Sequence, residues 1–459
     1  PPKGTMGFPS GQENSLVFQV MSEANFLELL GGRLMKILVV GGGGREHALV
    51  WKIAQSPLAG KIYCAPGNGG ISSIAECVPI KAADIEGIAG FAIEKNIDLA
   101  IVTPDDPLAA GMVDELENRG IRAFGPRKNA ALIESSKAFA KDLMKKYGIP
   151  TAKYEIFDDS GLAIEYLKHQ NYPVVVKADG LALGKGVIIA QDYEQACDAV
   201  NKIMVERVFG KSGNKVVIEE FLAGREASVL AFTDGKTIIP MESSQDHKRA
   251  LDNDLGPNTG GMGAFSPSRA YTPEIAERCM REIFKPTVEA MNKEGRKFKG
   301  VLYFGLILTN CGPKVLEYNA RFGDPETQAV LPRLKNDIVE IFNAIIDERL
   351  DEMEMKWDNN AAVCGVMASG GYPREYVSGY EITGLEEAAR EPDTVVFHAG
   401  TKYEGGRFYT AGGRVLGVTA VGPTIEAAAK KAYETVGRIS FKDMHYRKDI
   451  GLEGAADGR

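Results

Sequence analysis

The sequence predicts a multidomain protein of α/β and α+β class, on three observations. Its 459 residues exceed what one hydrophobic core can organise. From Met35 to Pro126 short apolar runs alternate with helical patterns, which is how a doubly wound parallel sheet reads. Beyond Pro150, β-branched runs are separated by polar, glycine-rich loops, which is how antiparallel sheets read. Hydrophobic residues make up 44% and charged residues 25%, an ordinary globular balance. A formal charge of -8 removes any broad attraction to nucleic acid or anionic lipid, so neither is an expected partner. No apolar run approaches the roughly 20 residues that span a bilayer. The cysteines (Cys64, Cys77, Cys197, Cys279, Cys311 and Cys364) are scattered without a C-x-x-C pair, as expected of free thiols in a reducing cytoplasm.

Residues 1–34 match no pattern, lack the basic start and apolar core of a signal peptide, and read as a leader, an artificial extension or a segment before an alternative start. Residues 35–136 form the first expected domain. There KILVV is a strand buried on both faces, GGGGREHALVWKIAQS a tight turn into a helix, and KIYCAPGN the next strand and loop. DLAIVTPDDPLAAGMVDELENRG adds a strand, loop and helix, and IRAFGP another strand. ESSKAFAKDLMKKYGIP reads as one helix stopped by Gly148 and Pro150, leading into a second domain of residues 137–355. Its small lobe, about residues 151–225, holds YPVVVKA, a glycine loop, a helix near Tyr193–Val208 and the run VIEEFLAGREAS. Polar loops from Asp246 lead to the strand pair VLYFGLILTN and KVLEYN and a helix from Asn336. A third domain, residues 356–450, has short strands with GG turns and the helix IEAAAKKAYETVGRI, before a tail of residues 451–459.

The stretch KADGLALGKGVII is glycine-rich but not a Walker A loop, since Gly180 and Gly184 are separated by three residues and Gly186 stands where Ser or Thr belongs. Two strands joined by such a loop can still close over phosphates with backbone amides while Lys177 neutralises them; alone, it is equally a flexible hairpin. GGGGREH lacks G-x-G-x-x-G, which argues against NAD, yet glycines opening a helix bare amides that attract phosphate, and Arg45 can fork onto it. A turn without a ligand is the alternative. Pro66–Asn68 and Thr103–Pro107 fall at the carboxyl ends of the next strands, where open sheets bind ligands. Glu219–Leu222 offer backbone groups to a planar base and acids to ribose hydroxyls, although solvated carboxylates would look the same. In KVLEYNARFGDPE, Glu317 and Asn319 are two apart on a strand and face one way, and their hard oxygens suit magnesium. Arg321, Gly323 and Asp324 follow on a turn set by Pro325. The polar segment from Asp246 gathers His247, Lys248, Arg249 and Asn258; the cations beside His247 argue against an acid-base role for it.

GGGGREHAL, APGN, SSKAFAKD, KADGLALGKGV, QDHKR, GPNTGGMGAFSP and EYNARFGDPETQ, in this order, resemble the ATP-grasp superfamily and, within it, the phosphoribosylamine-glycine ligases, also called glycinamide ribonucleotide synthetases. The resemblance runs from Met35 to about Asp449. It implies a pre-ATP-grasp N-terminal domain, a central ATP-grasp fold with a mobile small lobe, and a small mixed β/α C-terminal domain. It also implies ligation of glycine to 5-phosphoribosylamine with cleavage of ATP to ADP and phosphate through glycyl phosphate, the second step of de novo purine synthesis. The expected setting is a cytoplasmic monomer using ATP and Mg2+ or Mn2+. Residue by residue, Lys137 and Lys177 would contact ATP phosphates under the flap Gly180–Gly186, which includes Gly184. Glu219, Glu220, Phe221 and Leu222 would hold adenine, Glu226 the ribose, and Arg249 and Asn258 further phosphate oxygens. Glu317 and Asn319 would bind the metal, and Arg45, Glu46 and Asn68 the phosphoribosylamine. Asp246, Lys248, Arg321 and Asp324, with Lys177, would serve glycine and the acyl phosphate.

Two departures stand out. Leu183 replaces an alanine common in the flap, and Val301–Asn310 lacks the carboxylate that many ATP-grasp enzymes carry before the metal pair, so metal coordination would lean on phosphates and water. The rival readings are another ATP-grasp carboxylate-amine ligase or carboxylase, which need not share the GGGGREH and APGN loops, and a nonenzymatic nucleotide or sugar-phosphate sensor, which would not need Lys177, Glu317 and Asn319.

Overall fold

Strand β1 (Met35–Gly41) sets the first domain, because Ile37, Leu38, Val39 and Val40 are all fully buried. Leu38 and Val40 enter one core, against Ile88 and Ala92 of the helix Ile85–Lys95. Ile37 and Val39 enter another, against Ala48 and Leu49 of the helix Gly44–Ile53. With β2 (Ala59–Pro66), β3 (Glu76–Cys77), β4 (Leu99–Val102) and β5 (Ala123–Phe124), β1 forms a parallel sheet of order β3-β2-β1-β4-β5. Strand order reverses between β1 and β4, so the loops leaving them face one crevice. The computed structural model describes residues 34–182 and 185–452.

The expected single helix across Glu134–Tyr147 is two, Lys128–Ser135 and Lys137–Tyr147. Ser136 breaks them with an extended backbone and caps the second through its hydroxyl, which accepts from Phe139 N–H at 3.1 Å. Asp179, just before the glycine flap, holds the same turn. Its carboxylate accepts from Ser136 Oγ at 3.0 Å and Ala138 N–H at 2.8 Å.

The small lobe is an antiparallel sheet of β6 (Tyr154–Phe157), β7 (Val174–Ala178), β8 (Val187–Ala190) and β9 (Val216–Glu220) in the order β6-β9-β7-β8. It has its own core, including Leu167, Val174, Val176, Ile203 and Ile218. The next sheet takes β10 (Arg225–Thr233) and β11 (Ile238–Pro240), followed along the chain by β12 (Gln245–Asp246), the hairpin β13 (Arg249–Leu251) and β14 (Leu255–Asn258), and β15 (Gly263–Ser266). The strand pair β16 (Gly300–Thr309) and β17 (Gly312–Asn319) completes the order β11-β10-β16-β17.

The C-terminal region adds β18 (Ala361–Ala368), β19 (Glu381–Ile382), β20 (Thr394–His398), β21 (Thr401–Glu404), β22 (Arg407–Thr410) and β23 (Arg414–Gly422). Its main sheet has the order β12-β15-β18-β23-β20, so two of its five strands come from the preceding region. The helix Ile425–Val436 buries Ala428, Ala429 and Ala432 on it. Among the described residues no helix is long and apolar enough to cross a membrane, and the six cysteines are free thiols.

Phe124 of β5, Phe232 of β10, Phe322 and Phe342 form one aromatic cluster joining the parallel sheet to the central one, with ring centroids 4.1 Å apart for Phe124 and Phe342 and 6.3 Å for Phe322 and Phe342. Phe342→Ala is expected to cost about 3–5 kcal/mol of unfolding free energy in denaturant titrations, by lost burial and the cavity left behind. A second expectation concerns His47, whose Nδ1 accepts the His398 N–H at 2.7 Å. Burial, and then the proximity of His398, lower its pKa from 6.5 to about 3. The unfolded chain therefore takes up this proton first, and stability drains away as pH falls from 6.5 toward 3; His47→Gln should flatten that part of the pH–stability curve.

Candidate active site

The cleft is built on the end of β17. Glu317 lies opposite Gly305 and Asn319 opposite Tyr303, with a register shift just beyond Gly305. A Cβ on Gly305 would stand 3.0 Å from Glu317 Cγ, so the glycine makes room for the carboxylate. Lys248 Nζ sits 3.4 Å from Glu317 Oε1. That ammonium, aided by Lys177 and Lys137, outweighs burial and holds the Glu317 carboxyl down to about 2. In the orientation that satisfies its neighbours, the Asn319 amide donates to Tyr318 O at 3.2 Å and Glu134 Oε1 at 3.0 Å, which turns its oxygen away from that carboxylate. Among the described residues no group of three or more His, Cys, Asp or Glu could hold a metal by itself. One ionised carboxylate and one amide oxygen fit a hard divalent cation that takes its remaining ligands from phosphate and water.

Above this floor, Lys177 at the end of β7 is 6% exposed and bridges the lobes, donating to Leu316 O at 3.1 Å. Glu219, expected at the adenine, instead points its carboxylate inward. It stands 2.8 Å from Lys177 Nζ and 2.8 Å from Lys141 Nζ, and it is 2% exposed. The carboxylate is therefore engaged by two buried ammonium groups, and what the segment still offers a planar base is its backbone. Burial still lowers Lys141 to about 8. Glu220 accepts from Lys153 N–H at 2.9 Å, while Phe221 is exposed and Leu222 half-buried beside it. Lys137 donates to Gly180 O at 2.9 Å, and burial lowers its pKa against the pull of Glu317. Gly186 accepts from Ala178 N–H at 2.8 Å at the base of the flap, and Gly184 lies outside the described residues.

Lys248 lies 3.4 Å from Glu226 as well as from Glu317, linking the ribose and metal candidates. Arg249 and Asn258 pair across the β13–β14 hairpin. With Lys185, Val187–Ile189 and Arg374 they line a cleft of about 380 Å³. Asp246 Oδ1 is buried without a hydrogen-bond partner, and burial together with Glu326 raises the Asp246 pKa well above the carboxylate range. His247 is lowered to about 4, first by its own burial and then by Arg447 rather than by the cations next to it in sequence.

The loops of the parallel sheet close the cleft from the other side. Glu46 accepts from Gly43 N–H, Thr103 Oγ1 and Arg45 Nε, each at 2.6 Å. Gly41, at φ +125°, leaves the space this side chain folds into. The Asn68 amide nitrogen donates to Gly42 O and His398 O at 2.9 and 2.8 Å, and its oxygen accepts from Gly70 and Ile71 N–H. Glu46 and Asn68 thus use their polar atoms to tie loops together. Arg45 Nη1 donates to Phe322 O at 3.1 Å, and its N–H points to Asp324 Oδ2 at 3.4 Å. The helix start expected to offer bare amides is therefore already faced by two carboxylates. Arg321 pairs with Glu134 at 2.9 Å and leaves its Nε buried without a partner. Asp324 is also held by Gln328 Nε2 at 2.8 Å and Arg414 at 3.3 Å. Burial pushes its pKa up, yet Arg414 and Arg45 prevail and keep it below the usual value.

Thr103 was read in the sequence only as the start of a loop at a strand end, and Arg414, Glu134 and Lys141 were given no role there. Glu134 immediately precedes SSKAFAKD and Thr103 opens TPDDP, so both had a positional signal, whereas Arg414 follows a GG turn some 90 residues past Asp324 and had none.

Profiles described as phosphoribosylglycinamide synthetase match the chain in three consecutive pieces: the N domain over residues 35–134, the ATP-grasp (A) domain over 135–327 and the C domain over 362–453. The phosphoribosylamine–glycine ligase of Caldanaerobacter subterraneus subsp. tengcongensis is 50% identical over 416 residues, covering 91% of this chain and 99% of that protein. That of Allochromatium vinosum is 50% identical over 428 residues, covering 93% and 100%. The crystal structure of phosphoribosylamine–glycine ligase from Thermotoga maritima superposes with a TM-score of 0.79 at 33% identity, covering 90% of this chain and 99% of that one. A biotin carboxylase from Campylobacter jejuni, at 14% identity and TM-score 0.71, shares the fold alone. ATP-grasp enzymes use ATP with divalent metal ions, in keeping with the donor set at the end of β17. With all three domains matched in order and half the residues identical along nearly its whole length, this chain belongs to the phosphoribosylglycinamide synthetase family.

Proposed function

We propose that the chain joins glycine to 5-phosphoribosylamine, giving phosphoribosylglycinamide, ADP and phosphate in de novo purine synthesis. The observation that carries this reading is the set of lysines, Lys137, Lys177 and Lys248, whose charges converge on an ionised Glu317. Such a cleft collects anions, and the reaction must hold two of them together. A glycine carboxylate oxygen bonds to the γ-phosphorus while the bond to the bridging oxygen of ADP breaks. The amine nitrogen of phosphoribosylamine then attacks the carbonyl carbon of glycyl phosphate, and phosphate leaves with the C–O electrons. Lys137 and Lys177 neutralise the triphosphate under the flap, Arg249 and Asn258 meet it from the hairpin, and the backbone of Glu220–Leu222 holds adenine with Phe221 at its rim. Glu226 receives the ribose, and Glu219 keeps Lys177 aimed. Magnesium or manganese on Glu317 and Asn319 would neutralise phosphate oxygens when bound.

Arg321 and Lys248 serve the glycine carboxylate and the acyl phosphate, and Asp246, with its unpartnered oxygen, the glycine ammonium. Asp324, ionised beside Arg45, accepts a hydrogen bond from the attacking amine, whose proton leaves with the departing phosphate. Glu46 and Asn68 act by shaping the loops that meet phosphoribosylamine. Domains of residues 35–136, 137–355 and 356–450, a cytoplasmic setting and a monomeric state belong to the same proposal.

Purified protein should release phosphate from ATP only when glycine and phosphoribosylamine are both present; release with neither, or with bicarbonate in place of glycine, would overturn the reading. Glu317→Gln should cut turnover on the order of 10²–10³-fold, the scale on which transition-state charge stabilisation is lost, while costing far less unfolding free energy than Phe342→Ala. A collapse of the fold on this substitution would make Glu317 a structural residue instead.

A further inference from the structure

The chain returns to the cleft at its end. His445 exchanges backbone hydrogen bonds with Ala368 at the end of β18, and its Nε2 lies 2.7 Å from Ala250 O. Two residues on, the Arg447 side chain is completely buried. Its Nε and Nη2 donate to the two oxygens of Asp449 at 2.8 and 2.7 Å, and its Nη1 donates to Asp254 Oδ1 at 2.7 Å and Arg249 O at 3.2 Å. Asp449 also accepts from Asn253 N–H at 2.8 Å, and Lys448 N–H donates to Asp252 Oδ1 at 2.8 Å. The turn so gripped joins β13 to β14 and holds two consecutive non-glycine residues in the left-handed region, Asn253 at φ 58° and Asp254 at φ 53°. Such a backbone persists only where its surroundings over-determine it.

We infer that Arg447, with Asp449, is a positioning pair for nucleotide binding: it locks the strained turn so that Arg249 and Asn258, paired at the open end of the hairpin, face the flap strand. The inference rests on the proposed contact of Arg249 and Asn258 with ATP phosphates. A guanidinium that forks onto one carboxylate and reaches a second carboxylate and a main-chain carbonyl cannot be replaced by an ammonium at equal geometry.

The test is steady-state kinetics on the full chain with Arg447→Lys, Arg249→Ala and the double variant. Arg447→Lys should raise the KM for ATP on the order of tenfold and leave the KM for glycine unchanged, the cost of misplaced binding groups. If Arg447 acts through the hairpin, the KM for ATP of the double variant falls well short of the product of the two single effects, what remains being the displaced Asn258. Unchanged KM for ATP in Arg447→Lys, or effects that multiply in the double variant, would sink the inference while the proposed reaction stands. An unchanged KM in Arg249→Ala would remove the phosphate role of the hairpin and the inference with it. Should Arg447→Lys not fold, Asp449→Asn keeps the size and loses the fork, and it is held to the same outcomes.

Discussion

Four ammonium groups, those of Lys137, Lys141, Lys177 and Lys248, crowd the cleft, and the fold holds them there only because carboxylates are set between them. Two unit charges about 4 Å apart interact by about 4 kcal/mol at an effective dielectric of about 20, a large share of the net stability of a domain. Glu219 answers Lys141 and Lys177 from the small lobe, and Glu317 and Glu226 answer Lys248 from the central sheet. The same balance prepares the site for its reactants. In the proposed reaction a triphosphate with its cation would take over from these carboxylates as the partner of the lysines.

The second consequence of this arrangement is geometric. Lys177 belongs to the small lobe by its strand and to the large lobe by its hydrogen bond to Leu316 O, so the two lobes meet through a lysine of the cleft. The small lobe has a core of its own, and the register shift after Gly305 brings Glu317 to the meeting point. Opposite, Glu46 spends its oxygens on Gly43, Thr103 and Arg45, and Asp324 stands at the first turn of the helix that follows β1.

The architecture was legible where local pattern and tertiary role coincide. The run KILVV reads as buried on both faces and is, and the pair VLYFGLILTN and KVLEYN forms the expected antiparallel strands. Strand period alone puts Glu317 and Asn319 on one side of β17. The break at Ser136 was passed over although that serine is itself a capping residue, because the acceptor that completes the turn, Asp179, lies more than forty residues on. The pairing of Glu219 had no local signal either: a carboxylate at the end of an apolar strand looks solvated until Lys141 and Lys177 are known to lie on either side. Arg414 shows the limit most plainly, since its partners, Gly260 and Asp324, are distant in sequence and no motif surrounds it.

One feature of the topology reaches beyond catalysis. Strands β12 and β15 leave the central region to become the outer half of the C-terminal sheet, with β15 laddered along β18 from Gly263–Gly365 to Ser266–Ala362. The last hundred residues are therefore no detachable appendage. Cut free, they would bare a row of unanswered amides and carbonyls along β18, and the remainder would bare another along β15, each a template for mispairing with a neighbouring chain. Whatever shuffles the parts of such proteins has to move these two pieces together.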